Sequence, residues 1–397
     1  MISFEEALAK IAGQRPAKET EHVSLDKALG RTLAETLTAQ TTLPPANVSA
    51  MDGYAVRLAD VSQENTQLQL IGTSPAGTPF EGIVGDGQTV RIFTGGQLPA
   101  GADHVVPQEN TSVAGSTITI IPASTAPRHV RSQGLDFAQG DELLKAGTTM
   151  GPSEVSIAGA ANCDMLEVYK RPVVALLANG DELKPVGSHL EPGEIVNSNP
   201  YALAALISNW GGTPLNIGIA SDSIASIHEH LALAATADII VPVGGASVGD
   251  HDHMFAAFEQ LGFVPIFRKV AVKPGKPTWC AATDEQTVLG LPGNPASALV
   301  CAHLFLKPLI IGKPFHRFSV AKLATPLPAS GQRAEFLRSS SEMDANGQLW
   351  VSPLSNQDSS LLHPFLVANT LLYRAPTDPA YERGDLVKIL PIAPIVR

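Results

Sequence analysis

Cysteine is scarce in this sequence. The chain of 397 residues contains 3 cysteines, Cys163, Cys280 and Cys301. They form no CxxC motif and their number is odd, which is typical of a protein from a reducing compartment. None of them lies in a loop that is a candidate for chemistry, so we assign all three to core packing.

The sequence also lacks an excess of positive charge and any long apolar run. Its formal net charge is -11 and its pI is about 5.4, which argues against a nucleic-acid-binding surface. No apolar run approaches the roughly 18 residues that a membrane span needs. The first residues, MISFEEALAKIAG, have no apolar signal-peptide core. We therefore expect a cytoplasmic protein with neither nucleic-acid nor membrane partners.

The length and the pattern of elements predict several domains. Ser3 and Glu6 form a capping box that opens a helix from Phe4 to about Ile11, and a second helix is predicted from Ser24 to about Leu37. Short alternating runs from about residue 67 to 121 predict a β-rich region. After residue 171, buried strands alternate with helices, which predicts a doubly wound, mostly parallel sheet. From about residue 318, short strands predict a small β-barrel.

The predicted fold class is therefore α/β plus β, in a multidomain chain. A doubly wound α/β domain is accompanied by a β-rich insertion domain and a C-terminal β-barrel-like domain. We expect four divisions: a discontinuous helical and linker domain (1–42 and 142–170), the β-rich insertion (43–141), the α/β domain (171–317) and the barrel domain (318–397).

The most informative stretch is DIIVPVGGASVGDHD, residues 238–252. An apolar run that ends in glycines predicts a strand buried on both faces, followed by a backbone that can approach a ligand closely. In open α/β sheets, ligands bind beyond the carboxyl ends of the strands. A tight turn without a ligand is the alternative.

Further loops of the α/β region follow strands in the same way. They contain Gly180-Asp181-Glu182, Ser221-Asp222-Ser223 and Pro292-Gly293-Asn294, and the handedness of α/β units brings such loops to one edge of the sheet. Their carboxylates suit Mg²⁺, and amides at a helix start suit phosphate. Asn199-Pro200 and Asn294-Pro295 each predict a helix N-cap followed by proline. Nearby, Arg268, Lys269, Lys273 and Lys276 form a dense cationic cluster.

Each feature has a simpler explanation. Asp222 could serve only as a helix cap, and the lysines could form a solvated strand edge. His251 and His253 are too close in sequence for the usual zinc pair. The chain lacks a Walker A motif, and Gly244-Gly245-x-x-x-Gly249 does not match the dinucleotide fingerprint.

Seven motifs in order resemble one known family over nearly the whole chain. They are MDGYA (51–55), the Thr94-Gly95-Gly96 loop, Gly134-x-Asp136, GDEL (180–183), GGASVGDHD (244–252), KPGKP (273–277) and LPGNPASA (291–298). This combination resembles the molybdopterin molybdenumtransferases, the MoeA proteins, and the related E domain of gephyrin.

The resemblance implies an Mg²⁺-dependent enzyme of molybdenum cofactor biosynthesis. Such an enzyme inserts molybdate into adenylylated molybdopterin and releases AMP. The resemblance also implies a homodimer, with a molybdopterin adenylyltransferase and molybdoenzymes as further partners. Implied catalytic residues are Asp52, Asp136, Glu182, Asp222, Asp252 and Lys273, of which Glu182, Asp222 and Asp252 would hold the metal. Implied substrate-binding residues are Thr94, Gly180, Gly244, Gly245, Ser247, Gly249, Lys269, Lys276, Pro292, Gly293, Asn294 and Ser359.

Several positions depart from the family pattern. Ala178-Asn179 stands where the family often has Thr or Ser beside the glycine, and Val243 where it often has Ser. Asn197 replaces the commoner Asp, and Asp358 stands where Gly is usual. These departures leave two alternatives open: a non-catalytic molybdopterin-binding scaffold, or a nucleotide-processing enzyme that transfers adenylyl groups.

Overall fold

The computed structural model of the chain describes residues 1–14, 16, 19–245, 253–312 and 318–394. The chain divides into two compact units. One comprises Met1–Lys18 and Arg171–Arg397, and the other comprises Glu19–Lys170.

The first unit is built on a six-stranded sheet. Its strands, in spatial order, are Thr213–Ala220, Val173–Asn179, Ile239–Val243, Thr287–Gly290, Trp279–Ala282 and Val264–Phe267. The first four strands pair in parallel, whereas Trp279–Ala282 runs antiparallel to both of its neighbours, Thr287–Gly290 and Val264–Phe267. This confirms the predicted mostly parallel α/β sheet.

Both faces of this sheet are covered, which is why its central strands are continuous apolar runs. Val174 and Leu176 pack into a core on one face, whereas Ala175 and Leu177 pack into a second core on the other face. The covering helices are Phe4–Ala12, Asn199–Asn209, Ile224–Leu231, His253–Gln260, Pro295–Cys301 and Lys307–Ile311, with a π-helical segment at Ala302–Leu306 and a 3-10 turn at Ala232–Ala234.

The first helix begins as the sequence predicts. The Ser3 hydroxyl accepts a hydrogen bond from the Glu6 amide, and the Glu6 carboxylate accepts one from the Ser3 amide. The buried face of this helix contributes Phe4, Ala7, Leu8 and Ile11 to the core on one side of the sheet.

The C-terminal part of the first unit is a closed five-stranded β-barrel, as predicted. Its strands are Ser319–Leu323, Ala334–Met343, Leu349–Pro353, Thr370–Arg374 and Leu386–Pro391. Closure comes from the pairing of the Ala334–Met343 strand with both Leu349–Pro353 and Thr370–Arg374. The short Val272–Lys273 strand joins the barrel in parallel to Ala334–Met343. A 3-10 turn, His363–Leu366, and a small parallel pair, Leu183–Lys184 with Ile195–Val196, complete this unit.

The second unit is rich in β-structure. Its six-stranded sheet has the order His104–Pro107, Gly53–Val56, Gln88–Ile92, Thr66–Ser74, Thr117–Ile120 and Thr111–Ala114. Three antiparallel pairs are Thr20–Ser24 with Met165–Tyr169, Leu37–Thr38 with Glu142–Leu144, and Val48–Ser49 with Val130–Arg131. One α-helix, Pro152–Ala160, and 3-10 turns at Leu25–Lys27, Leu58–Val61 and Gln108–Asn110 accompany them.

The predicted helix from Ser24 to Leu37 is wrong. Only the 3-10 turn Leu25–Lys27 forms there, and Gly30 then adopts a positive φ of 74°. Leu33 forms an antiparallel bridge with Val168. The apolar side chains of this stretch, including Leu33 and Leu37, fill a core through β-pairing, which overrides a weak helix preference.

Separate cores motivate a finer division of both units, which we propose along the predicted boundaries. Residues 43–141 have their own clusters around Val61 and Val90, and the barrel has one around Val351.

Among the described residues, no helix combines the length and apolarity that crossing a membrane requires.

Candidate functional site

The carboxyl ends of three parallel strands meet in direct backbone contact. The Gly244 amide donates a hydrogen bond of 3.2 Å to the Leu291 carbonyl. A Cβ at Gly244 would lie 2.7 Å from the Asn179 carbonyl oxygen, and one at Gly293 would lie 3.3 Å from the Gly244 Cα. Gly244 also has a φ of 95°, which side chains disfavour. Glycine is therefore required at this edge for close packing.

Asn179 connects these strand ends to a fourth. Its side chain is buried, with 5% exposure, and its Nδ2 donates hydrogen bonds of 3.2 Å to the Ala220 carbonyl and 3.1 Å to the Ser221 carbonyl. On its other side, a Cβ at Gly245 would lie 2.4 Å from Asn179 Oδ1. Asn179 therefore sets the spacing between the Gly245 and Ser221 loops.

Sequence reasoning noticed Asn179 only as a departure from the family pattern and assigned it no role. The available signal was a polar amide at the end of an otherwise apolar strand. A buried amide at such a position must find hydrogen-bond partners, and here the partners are the carbonyls of the neighbouring strand end.

Three carboxylates lie on the loops that leave these strands. Asp181 Oδ1 accepts a 3.2 Å hydrogen bond from the Asp222 amide, which joins the two loops. The Glu182 carboxylate folds back over Gly180, whose φ is 149°, so that a Cβ there would lie 2.5 Å from Glu182 Oε2. Asp181, Glu182 and Asp222 are all exposed. Negative charge is thus concentrated on one side of the strand-end edge.

Asp222 does not cap the helix that follows it. Ser223 is the N-cap residue, and its hydroxyl accepts a hydrogen bond from the Ser226 amide. In the described part of the chain, the Asp222 carboxylate has no hydrogen-bond or ion-pair partner. The capping alternative is therefore excluded for Asp222, and its carboxylate is available to a ligand.

A metal site cannot be assembled from the described residues alone. Within them, no group of three or more His, Cys, Asp or Glu side chains could hold a metal ion. The predicted ligand Asp252 and the predicted binding residues Ser247 and Gly249 lie outside the described residues. Glu182 and Asp222 carry carboxylate oxygens, the type of hard ligand that Mg²⁺ prefers.

The start of the Pro295–Cys301 helix is tied to the C-terminal region. Asn294 is its N-cap residue but makes no side-chain cap; its Nδ2 donates a 2.9 Å hydrogen bond to Ser359 Oγ. The Ser359 carbonyl accepts a 3.0 Å hydrogen bond from the Ala296 amide. One helix-start amide that we expected to face an anion is therefore already occupied.

Asn199 also differs from its predicted role as an N-cap. Ser198 occupies the cap position, while the Asn199 Nδ2 donates a 2.8 Å hydrogen bond to the Gly293 carbonyl. Pro292, the predicted binding residue before Gly293, is buried, whereas Gly293 and Asn294 are exposed. The asparagines thus hold the Gly293 turn in place from two sides.

The KPGKP turn is anchored by packing against Cys301. A Cβ at Gly275 would lie 2.1 Å from Cys301 Sγ, and Thr278 Oγ1 donates a 2.8 Å hydrogen bond to the Gly275 carbonyl. Burial raises the pKa of Cys301 and of Cys280 to about 12, so both thiols stay protonated. This agrees with the packing role that we assigned to them.

The four cations of the predicted cluster do not share one environment. Arg268 pairs with Glu259 at 2.7 Å and stacks on Phe255. Lys273 pairs with Glu335 at 3.1 Å. Lys269 and Lys276 are exposed, and their ammonium groups have no hydrogen-bond or ion-pair partner among the described residues. Arg268 is therefore engaged in a separate contact, and Lys269, Lys273 and Lys276 remain as candidates for binding an anion.

The lysines are not bonded to the strand-end loops in the described part of the chain. Lys273 lies on the short strand that joins the barrel, and neither a hydrogen bond nor an ion pair connects it to Glu182, Asp222 or Gly244. The carboxylates, the glycines and Ser359 are linked through hydrogen bonds or backbone packing, and no lysine side chain takes part in these links in the described part of the chain.

In the second unit, Asp52 and Thr94 form a pair. Asp52 Oδ1 accepts hydrogen bonds of 2.7 Å from the Thr94 amide and 2.8 Å from the Thr94 hydroxyl. These bonds, with a smaller contribution from the charge of Arg91, hold the pKa of Asp52 below its ordinary value. Both residues are exposed, so this ionised carboxylate can meet a ligand.

Asp136 lies on a segment that pairs with the stretch before Asp52. Its amide donates a 3.0 Å hydrogen bond to the Leu43 carbonyl, and the preceding Gly134 amide donates one of 3.0 Å to the Pro44 carbonyl. The Asp136 side chain is exposed. The antiparallel pairing at Val130 and Ser49 puts Asp136 and Asp52 at opposite ends of the paired segment.

Replacing Thr94 with valine is expected to raise the pKa of Asp52. The variant loses the hydrogen bond from the Thr94 hydroxyl, which favours the ionised carboxylate, but keeps the hydrogen bond from the residue 94 backbone amide. Because the folded-state pKa of Asp52 is depressed, its contribution to stability is present above the unfolded-state pKa and is lost as the pH falls. Titration of the Asp52 carboxylate by ¹³C NMR measures the change, and Thr66→Val is the control because its hydroxyl bonds only the Gln63 carbonyl. An unchanged Asp52 titration in Thr94→Val would contradict the assignment.

Three protein-family models match the chain, one after another along the sequence. MoeA N-terminal region (domain I and II) matches residues 2–161, probable molybdopterin binding domain matches 175–311, and MoeA C-terminal region (domain IV) matches 320–392. Together with the strand-end geometry, they define the class as a MoeA-type protein whose α/β domain matches the probable molybdopterin binding domain.

Relatives along the full length agree with this class. The chain is 31% identical to the molybdopterin molybdenumtransferase of Haemophilus influenzae, covering 98% of each. It is 33% identical to that of Bacillus subtilis, covering 98% of this chain and 94% of the relative. A crystal structure of a molybdopterin biosynthesis MoeA protein from Pyrococcus horikoshii has a TM-score of 0.86 at 28% identity, covering 98% of this chain and 99% of the other. The chain therefore belongs to the MoeA family of molybdopterin molybdenumtransferases, and it is an enzyme of the transferase class in molybdenum cofactor biosynthesis.

Proposed function

We propose that this enzyme inserts molybdate into adenylylated molybdopterin and releases AMP in an Mg²⁺-dependent reaction. The observation that carries the proposal is the convergence of Asn179, Gly244 and Gly293 at one edge of the sheet, beside the carboxylates of Glu182 and Asp222. Such an edge combines close backbone approach with hard oxygen ligands.

The chemistry of the substrates explains why these groups are needed. Molybdate is a dianion and the phosphoanhydride of the adenylylated substrate is also anionic, so bringing them together requires positive charge. Mg²⁺ would supply Lewis-acid stabilisation of the phosphate oxygens. Glu182 and Asp222, with Asp252, would hold the ion. The Asp181 carboxylate would orient the Asp222 loop by accepting a hydrogen bond from the Asp222 amide.

Each remaining group has a role that follows from its chemistry. Lys273, Lys269 and Lys276 would attract the anions and neutralise charge. Gly180, Gly244, Gly245, Ser247, Gly249, Pro292, Gly293, Asn294 and Ser359 would line the substrate site. Asp52 and Asp136 would act as further catalytic residues, and Thr94 would bind substrate. We further propose a cytoplasmic homodimer that receives substrate from a molybdopterin adenylyltransferase and delivers cofactor to molybdoenzymes.

A single-turnover assay tests the proposal. Purified protein is mixed with adenylylated molybdopterin, molybdate and Mg²⁺, and AMP is measured by chromatography. We expect AMP release to need both Mg²⁺ and molybdate. Binding of the adenylylated substrate without AMP release would instead identify a scaffold, and a requirement for ATP without molybdate would identify a nucleotide-processing enzyme.

A further inference from the structure

Lys273 has a carboxylate partner built into the fold. Lys273 and Glu335 are opposite each other on neighbouring parallel strands, Val272–Lys273 and Ala334–Met343. Lys273 Nζ lies 3.1 Å from Glu335 Oε1. The Lys273 side chain is 55% exposed, whereas that of Glu335 is only 13% exposed. The carboxylate is thus fixed in the barrel wall, while the ammonium group on its flexible stem can exchange partners.

The Lys273–Glu335 pair lies in the wall of a pocket. Both residues line a pocket of about 530 Å³ in the described barrel region, together with Arg374. Arg374 is buried, and its guanidinium donates hydrogen bonds to the Pro328 and Pro379 carbonyls. Lys273 is therefore the lining cation that can turn towards an incoming anion, and Glu335 is the lining carboxylate that opposes it.

We propose that Glu335 is a built-in counter-ion that competes with the anionic substrate for Lys273. The inference rests on the proposed function, in which Lys273 meets molybdate. Glu335 holds the ammonium group in place when the anion is absent. It gives up this partner when the anion binds, and regains it when the anion leaves. Glu335 thereby limits the affinity of the enzyme for the oxyanion and favours its release.

The competition fixes the sign of the expected effect. Glu335→Gln removes the negative charge but retains an oxygen that can accept a hydrogen bond from Lys273. The substrate then no longer competes with a carboxylate or is repelled by it, so molybdate binds more tightly. A residue that merely positioned Lys273 would give the opposite result, because its loss would loosen the ammonium group.

The charge of the anion provides a second criterion. Repulsion from Glu335 scales with the charge of the bound ion. Dianionic molybdate should therefore gain more from Glu335→Gln than perchlorate, which is also tetrahedral but carries a single charge. A general rearrangement of the pocket would change the affinity for both ions alike.

Calorimetric titration of the full-length protein with molybdate alone tests the proposal. We expect Glu335→Gln to lower the Kd for molybdate by about 3- to 10-fold, the range of a partly screened charge pair. Glu342→Gln is the matched control, because it removes the same charge from an exposed position on the same strand and should leave the Kd unchanged.

Weaker or unchanged molybdate binding by a folded Glu335→Gln variant would overturn the counter-ion role, and so would an equal gain for perchlorate. If Glu335→Gln fails to fold, Lys273→Met decides. Under the proposal it weakens molybdate binding in the wild-type protein, and unchanged binding overturns the proposal. Absence of molybdate binding in every variant would also overturn it. Because these titrations need no turnover, they are independent of the AMP assay, whose failure would count against the proposed function instead.

Discussion

Asp222→Asn is expected to lower the rate of AMP release by roughly 100- to 1000-fold, the range for loss of a charged group that holds a catalytic ion. The side chain keeps its size but loses the charge that would bind Mg²⁺. Folding should be nearly unaffected, because the residue is exposed and Ser223, not Asp222, caps the following helix. The hydrogen bond from the Asp222 backbone amide to the Asp181 carboxylate is also retained, because it does not use the Asp222 side chain.

Asp284→Asn provides the control for this change. Asp284 is exposed in the turn between the Trp279–Ala282 and Thr287–Gly290 strands, at the opposite edge of the sheet from the strand-end loops. It removes the same charge, and we expect it to leave AMP release unchanged. Activity is measured by single-turnover chromatography across a range of Mg²⁺ concentrations. Equal rates for Asp222→Asn and wild type would remove Asp222 from the site.

Gly245→Ala is expected to destabilise the protein by about 3 kcal/mol and to abolish most activity. Its φ is 67°, and the new Cβ would lie 2.4 Å from Asn179 Oδ1. Asn179 would have to move, which would break its bonds to the Ala220 and Ser221 carbonyls. The loop carrying Asp222 would then lose the connection that fixes it to the Gly245 loop.

Gly262→Ala separates backbone strain from this contact. Gly262 has a similar φ of 87°, but a Cβ there would meet nothing within 4 Å. We expect a cost of about 1 kcal/mol from the left-handed conformation alone, with normal activity. Urea unfolding and AMP release are measured for both variants. The role of Asn179 would be contradicted if both variants lost the same stability and kept the same activity.

Asn179 itself can be tested in the same assays. Asn179→Asp keeps the shape but replaces the Nδ2 donor with an oxygen facing two carbonyl oxygens, which is unfavourable. We expect a loss of about 2 to 4 kcal/mol in the free energy of unfolding, together with reduced activity. Stability and activity equal to wild type would show that the amide bridge is dispensable.

The sequence was most informative where one local pattern determines the structure. The capping box at Ser3, the buried strand at Val173–Asn179 and the proline-started helix at Pro295 all depend on neighbouring residues, and each was predictable. The predicted helix at Ser24–Leu37 failed because its apolar residues pair with distant strands, as Leu33 does with Val168.

The site was less predictable because its geometry depends on long-range contacts. Glycines after strands indicated which edge of the sheet matters, but not that Gly245 packs on Asn179. Asn294 and Asn199 looked like helix caps, yet their amides reach Ser359 and Gly293. Likewise, four cations close in sequence suggested one cluster, but the stacking of Arg268 on Phe255 and the pairing of Lys273 with Glu335 divide it.

The most direct test of the account is a crystal structure of the enzyme soaked with Mg²⁺, molybdate and AMP. We predict the nucleotide phosphate against the backbone at Gly244 and Gly245, the metal ion at Glu182 and Asp222, and molybdate beside a lysine of the KPGKP turn. The claim that the two anions meet at the strand-end edge would be contradicted if the ligands were bound elsewhere and this edge were empty.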